Sequence, residues 1–189
     1  MNKNILLNRE IILIKHFQGA PGLRFFGIGP NFLPCNALYK LKVLLDKNTS
    51  WAKNIKIKDL RNCLANSDVI VSIWSNNKIL GFGRALSDGI YRSVLWDIVI
   101  DHNHQGKGYG KLIVNSLLES KRIKQSEKIY LMTSNQKEFY SQIGFEEVLS
   151  QNLLLKIILI IKQEIFRTTI IIYSSYKCAA HPCKFMILN

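Results

Sequence analysis

Leu95-Trp96-Asp97-Ile98-Val99-Ile100-Asp101-His102-Asn103-His104-Gln105-Gly106-Lys107-Gly108-Tyr109-Gly110-Lys111 decides how the rest of the chain is read. Its first seven residues are rich in Val, Ile, Leu and Trp, and with Tyr91 at the start they predict a strand over 91–101. Glycines follow at 106, 108 and 110. Beyond them Ile113, Val114, Leu117 and Leu118 recur as one apolar helical stripe, while Lys111, Asn115, Glu119 and Arg122 lie off it. The stretch therefore reads as strand, glycine turn, helix. Glycine allows a tight turn and a close backbone approach to a ligand. The first amides of a helix lack internal partners and carry the positive end of its dipole. A turn of this kind binds phosphate, and Lys107 and Lys111 add charge. A glycine turn with a purely structural role is the alternative reading.

Two nucleotide motifs fail on residue identity. A dinucleotide fold needs G-x-G-x-x-G in a first βα unit, whereas the spacing here is G-x-G-x-G. A Walker loop needs Gly-Lys followed by Ser or Thr, and Gly110-Lys111 is followed by Leu112.

Reading outward, Val69–Ser75 and Ile79–Leu86 are predicted strands joined at Asn76-Asn77, so that with 91–101 they form an antiparallel meander. Asn36 is placed to cap a helix running to about Asp46, and 58–66 predicts a second. Residues 128–134 predict a strand parallel to 91–101, reached by a right-handed helical crossover. Residues 136–143 predict a short helix stopped by Gly144, and 145–148 with 152–158 predict a closing hairpin. Short strands are also expected at 11–14 and 25–28. The fold class is α+β: a mixed, mostly antiparallel sheet of six to seven strands with helices on both faces. Residues 1–35 are expected to be an N-terminal extension, 36–158 the domain, and 159–189 a C-terminal extension of no assigned structure.

Bulk properties narrow the function. A chain of 189 residues with 48% hydrophobic and 21% charged residues suits one globular domain. The net charge is +13, but no run of five basic residues occurs, so a nucleic-acid partner is not expected. A basic surface does suit a polyanionic small molecule. The four cysteines form no dense framework, which suits a reducing compartment. Cys178, His181 and Cys183 have no second ligand pair, and His102 and His104 have no third ligand, so no metal is expected. The two histidines are expected to be solvated loop residues. The apolar stretch 153–172 is interrupted by Lys156, Lys162, Glu164 and Arg167, so no membrane span is expected.

Gln105, Gly108 and Gly110 match the [Q/R]-x-x-G-x-[G/A] loop of the GCN5-related N-acetyltransferase (GNAT) superfamily, and Phe139-Tyr140 with Gly144-Phe145 match its later aromatic-Tyr-x-x-x-Gly-Phe motif. The chain resembles that superfamily over residues 37–158. The stretch 95–111 is similar to its plastid and cyanobacterial branch, which includes chloroplast serotonin (arylalkylamine) N-acetyltransferases and plastid-encoded algal relatives. The resemblance implies the acyl-CoA N-acyltransferase fold and acetyl-CoA as co-substrate. It implies that the backbone of Ile98, Val99 and Ile100 holds the pantetheine arm. The amides of Gly106, Lys107, Gly108, Tyr109, Gly110 and Lys111 would then hold the pyrophosphate. Asn135 stands near a cofactor-touching Asn of relatives, although it precedes Tyr140 by five residues rather than six or seven. The resemblance associates Trp96 and Asp97 with the amine substrate. The chloroplast enzymes carry an Asp where this chain has Ser134. No transit peptide is evident, which fits a plastid-encoded protein and also a protein of the bacterial cytoplasm.

The implied chemistry is direct acetyl transfer to a primary amine in a ternary complex. An alkylammonium with a pKa of about 10.4 must lose a proton, which at pH 7 costs about 3.4 pH units, or roughly 4.6 kcal/mol. A base or a water chain supplies that step. The departing thiolate, of thiol pKa about 8.5, leaves more readily with an acid beside it. A backbone N–H from a bulged strand suits the oxyanion. Tyr140 is the candidate acid, the alternative being a core tyrosine. Asp97 is the candidate base or amine anchor. On a regular strand it shares a face with Leu95 and Val99, the alternative being a pair with Arg84 on the neighbouring strand. Trp96 then points the other way, toward an aromatic amine or into the core. The acceptor is an arylalkylamine or a protein amine. A ribosomal-protein N-terminus and a non-catalytic acyl-CoA- or nucleic-acid-binding role are the remaining readings.

Overall fold

A computed structural model describes residues 5–6, 11–17, 36–151 and 153–156 of the chain. The six described strands are β1 (Ile5–Leu6), β2 (Ile11–Phe17), β3 (Val69–Ser75), β4 (Lys78–Ser87), β5 (Arg92–Ile100) and β6 (Lys128–Tyr130). They lie in one sheet in sequence order. Each pair from β1 to β5 is antiparallel, and β6 joins β5 in parallel. That parallel step needs a crossover, which α3 (Tyr109–Leu118) and α4 (Lys121–Lys124) provide. Helices α1 (Ala37–Asn48) and α2 (Ile57–Ala65) precede the meander, and α5 (Lys137–Ser141) follows β6.

The sheet carries a helical layer on each face. On one, Leu38, Leu41, Leu45, Leu60 and Leu64 of α1 and α2 bury against Ile70, Trp74, Phe82 and Val99. On the other, Ile113, Val114 and Leu117 of α3 bury against Val71, Ile73, Ala85 and Leu95. At roughly 1.5–3 kcal/mol for each large apolar side chain buried, these faces supply the main folding force. Helix α3 approaches β4 closely. A Cβ at Gly83 would sit 2.6 Å from Ile113 Cγ2, so only glycine fits there.

Several expectations change in detail. The sheet begins before residue 36: β2 pairs along its whole length with β3, so part of the expected 1–35 extension is sheet. The expected strand at 25–28 lies outside the described residues. Asn36 precedes α1, but with φ 51° its side chain makes no cap, and its carbonyl instead accepts from the Lys40 amide. The strand expected over 128–134 ends at Tyr130, because Thr133 Oγ1 accepts from the Gln136 amide at 3.2 Å and turns the chain.

Two compact units divide at Glu146/Glu147. In the second, the described residues 147–151 and 153–156 contain no strand, so the hairpin expected over 145–148 and 152–158 is absent among the described residues. A strand needs a face to bury, and Leu149, Leu153, Leu154 and Leu155 are all highly exposed. Cys178, His181 and Cys183 lie outside the described residues, as does most of the apolar stretch 153–172. No helix among the described residues is long and apolar enough to cross a membrane.

Candidate active site

The parallel pairing of β5 with β6 covers only Arg92↔Lys128, Ser93↔Ile129 and Val94↔Tyr130. β5 runs on to Ile100, still paired on its other side with Gly81 of β4. From Leu95 onward the β6-facing edge of β5 therefore has no strand beside it among the described residues. A hydroxyl cluster fixes where the strands part. Ser93 Oγ lies 2.8 Å from Ser87 Oγ and 2.6 Å from Ser126 Oγ, and Ser126 Oγ also donates to the Arg122 carbonyl. Arg122 Nε pairs with Asp68 at 3.2 Å. These contacts hold β4, β5, α4 and the approach to β6 together at the closed end. None of these three serines stood out in the sequence, where nothing marks a hydroxyl that pairs across strands.

The glycine turn lies just past the other end of β5. Asp101 organises its entry: its carboxylate accepts from the Asn103 amide at 3.0 Å, pairs with Lys78 at 2.9 Å and lies 3.5 Å from His104. Burial alone would raise the Asp101 pKa, but Lys78, the Asn103 amide and His104 together outweigh it and hold the value at about 2. His104 thus packs beside a carboxylate rather than standing solvated as expected. The His102 amide donates to Asn48 Oδ1 of α1 at 2.9 Å, tying the turn to the opposite helical layer. Asp101, Lys78 and Asn48 were not singled out from the sequence. The Asp-x-Asn at the strand end was the available sign, since such an Asp accepts from the amide two residues on.

Gln105 donates through Nε2 to the Ile100 carbonyl at 3.4 Å, joining turn to strand. Gly106 and Gly108 take φ 76° and 80°, a left-handed conformation natural only to glycine. A Cβ on either would meet nothing within 4 Å, so backbone shape rather than crowding demands glycine there. Gly108 starts α3, and no side chain caps its first amides. Residues 105–108 and Lys111 are exposed, with Tyr109 and Gly110 partly so. Amides with no partner among the described residues, an exposed turn and flanking lysines make a site ready for an anion.

Helix α5 docks on this turn. A Cβ at Gly110 would lie 3.1 Å from Phe139 Cζ, and Phe139 packs edge-on to Tyr140 at 4.9 Å between centroids. Phe145 meets the other side of Tyr140 at 6.0 Å, and its amide donates back to the Tyr140 carbonyl. Gly144 takes φ 94°, ending the helix as expected. Burial pushes the Tyr140 phenol up from its ordinary value. No described residue accepts a hydrogen bond from it. Asn135 is exposed in the bend before α5.

At Asp97 the strand departs from the regular pleat. Arg84 pairs with Trp96 and Phe82 with Val99, leaving Asp97 and Ile98 opposite Gly83 alone. This is a β-bulge, and Asp97 takes φ 55°. A non-glycine residue in that region costs about 1–3 kcal/mol and persists only where its surroundings hold it. The bulge reverses the alternation: Leu95 packs on the α3 face and Val99 on the α1 face, so the shared face expected for Leu95, Asp97 and Val99 does not exist. Asp97 Oδ2 pairs with Arg84 Nε at 2.5 Å, and the guanidinium lies over the Trp96 ring at 5.9 Å. No hydrogen bond or ion pair links Asp97 to Tyr140 among the described residues.

A sheet opened between β5 and β6, beside an uncapped glycine-built helix start, coincides with a family match: the acetyltransferase (GNAT) domain model covers residues 66–147. Residues 66–147 thus match a GNAT acetyltransferase domain. The chain is 34% identical over 113 residues to the uncharacterized N-acetyltransferase ycf52 of Pyropia yezoensis, covering 57% of this chain and 64% of that one. It is 28% identical over 130 residues to GCN5-related N-acetyltransferase 2, chloroplastic, of Arabidopsis thaliana, covering 58% and 50%. The chain thus spans less than two thirds of the length of these relatives. Among solved structures, a GNAT-family acetyltransferase from Streptococcus pneumoniae superposes with a TM-score of 0.58 at 18% identity, covering 79% of this chain and 98% of that one. That likeness establishes the GNAT fold.

Proposed function

We propose that the chain is an N-acetyltransferase that moves an acetyl group from acetyl-CoA to a primary amine by direct transfer. The observation that carries this is the divergence of β5 from β6 after Val94 and Tyr130, next to the open amides at the start of α3. In this reading the amides of 106–111, with Lys107 and Lys111, grip the diphosphate. The edge of β5 at Ile98, Val99 and Ile100, unpaired among the described residues, binds the pantetheine arm as a further strand would.

Asp97 and Ile98 are the two residues of β5 with no partner in either ladder. Their amides are the candidate donors to the thioester oxygen as charge develops on it. The Asp97 carboxylate, held by Arg84 through Oδ2, offers Oδ1 to the acceptor ammonium and takes its proton directly or through water. Trp96 borders the acceptor. Tyr140 donates its proton to the departing thiolate, and burial keeps the phenol protonated well into the alkaline range. The amine nitrogen bonds to the carbonyl carbon, the C–S bond breaks, and one proton passes from amine to thiolate overall. No metal is needed for these steps. Asn135, exposed in the bend before α5, remains the candidate for a further cofactor contact.

The acceptor is an arylalkylamine or a protein lysine or N-terminus, and the plastid is the proposed location, in keeping with the chloroplastic relative. A thiol-release assay with serotonin, tryptamine, a lysine peptide and a set of N-terminal peptides tests this. Turnover with one class identifies the acceptor. Acetyl-CoA binding with no turnover on any acceptor would favour a non-catalytic acyl-CoA-binding role, and turnover confined to ribosomal-protein N-termini would favour the N-terminal reading.

A further inference from the structure

We infer that Arg84 is a positioning residue that holds the bulge at Asp97 and Ile98 in the form that faces the reacting carbonyl; this rests on the acetyltransferase reading above. Arg84 stands opposite Trp96, immediately before the bulge, and grips the strand at two successive residues. Its Nε pairs with Asp97 Oδ2 at 2.5 Å, and its guanidinium lies over the Trp96 ring at 5.9 Å. Nη1 reaches Ser67 Oγ at 3.5 Å, just beyond α2, so the grip is referred back to the helical layer. The side chains of Arg84 and Asp97 are 11% and 16% exposed, which limits screening of the pair by water.

Three facts make this more than a stabilising contact. Asp97 sits at φ 55°, a conformation that relaxes to ordinary strand unless something holds it. Relaxation of that φ would re-aim the peptide planes of the bulge and turn the Asp97 and Ile98 amides away from the open edge. A nearly buried ion pair is also a poor source of net stability, because desolvating both charges offsets most of their attraction. Its consistent product here is a fixed backbone geometry. The forked, planar guanidinium suits that task, since it can pair with a carboxylate and lie on an indole at once.

Steady-state kinetics and calorimetric acetyl-CoA binding on the full chain test the inference with Arg84→Met, Arg84→Lys, Asp97→Asn and the double variant Arg84→Met/Asp97→Asn. Arg84→Met should lose about 100-fold in kcat, the size expected when an oxyanion donor is lost. Its acetyl-CoA Kd should stay within about threefold, because the diphosphate grip is untouched. Arg84→Lys keeps the charge but not the fork and should recover about tenfold of that loss. The double variant should be no slower than the worse single variant, since Arg84 acts through Asp97. Wild-type kcat in Arg84→Met, or losses that multiply in full in the double variant, would overturn the inference. Should Arg84→Met not fold, Arg84→Lys decides the matter: a kcat lowered about tenfold at unchanged Kd supports the positioning role, and an unchanged kcat removes it. A wild type that neither binds acetyl-CoA nor releases thiol defeats the reaction itself, an outcome distinct from an active wild type with an indifferent Arg84.

Discussion

The glycine turn over 105–111 and the bulge at Asp97-Ile98 both free backbone amides, but by opposite means. In the turn the conformation costs little, because Gly106 and Gly108 take positive φ without a Cβ to strain. In the bulge an aspartate takes positive φ, and an ion pair with Arg84 accompanies it. The turn is exposed and can adapt to a polyanion arriving from solvent. The bulge is half-buried and held, which suits a group that must meet a developing charge at a fixed distance. A cheap, open grip for binding and a constrained donor for chemistry are thus built from neighbouring parts of one strand-turn-helix unit.

The division predicts that damage on the chemical side alters kcat and damage in the turn alters affinity. The largest effect is expected from Tyr140→Phe. Its kcat should fall by at least about 100-fold at unchanged acetyl-CoA affinity, measured by thiol release and calorimetry. Because burial raises the Tyr140 pKa, the acid form persists as pH rises, so the wild-type rate should show no Tyr140-dependent fall below about pH 10, its ordinary pKa. A falling limb near neutrality that Tyr140→Phe abolishes would contradict this assignment.

Gly108→Ala should act on the other side of the division. Forcing a left-handed backbone on alanine costs about 1–2 kcal/mol, so acetyl-CoA affinity should drop about 5- to 30-fold with kcat nearly unchanged. A kcat loss at unchanged affinity would merge the two regions into one function.

A smaller effect is expected at the clamp before the turn. Asp101 has a pKa lowered to about 2, against about 3.9 for an unfolded chain. Its contribution to stability is therefore present above about pH 4 and is lost as pH falls toward about 2. Thermal melts across that window should show Asp101→Asn losing less stability on acidification than the wild type does. Parallel slopes would mean that Lys78 and His104 do not hold the Asp101 carboxylate as described.

The sequence revealed the turn far better than the bulge. Three glycines between an apolar strand and an apolar helical stripe state their purpose locally, because positive φ and residue type go together. The meander, the crossover helix and Gly144 were legible for the same reason. The bulge was not, because alternation over Leu95, Asp97 and Val99 describes a regular strand equally well. What breaks it is long-range: Gly83, required under Ile113, lies opposite two residues at once, and Arg84 reaches the aspartate. Arg84 was nameable as a partner of Asp97, but the reversal of faces was not. β6 stopped short for a local cause, the Thr133 turn, which its apolar pattern concealed. The hairpin expected over 145–148 and 152–158 has no strand among its described residues, and alternation alone does not supply a surface to bury.

If the amides of 106–111 grip a diphosphate while β5 seats the thioester, affinity for the cofactor depends on its diphosphate. The most direct measurement is calorimetric titration of the full chain with acetyl-CoA and, separately, with acetyl-pantetheine, which has the same thioester but no diphosphate. Acetyl-CoA is expected to bind in the range of about 1 μM–1 mM. Acetyl-pantetheine should bind at least about 100-fold more weakly, since several charge-assisted hydrogen bonds are lost. Equal affinity for the two, or no binding of acetyl-CoA, would contradict it.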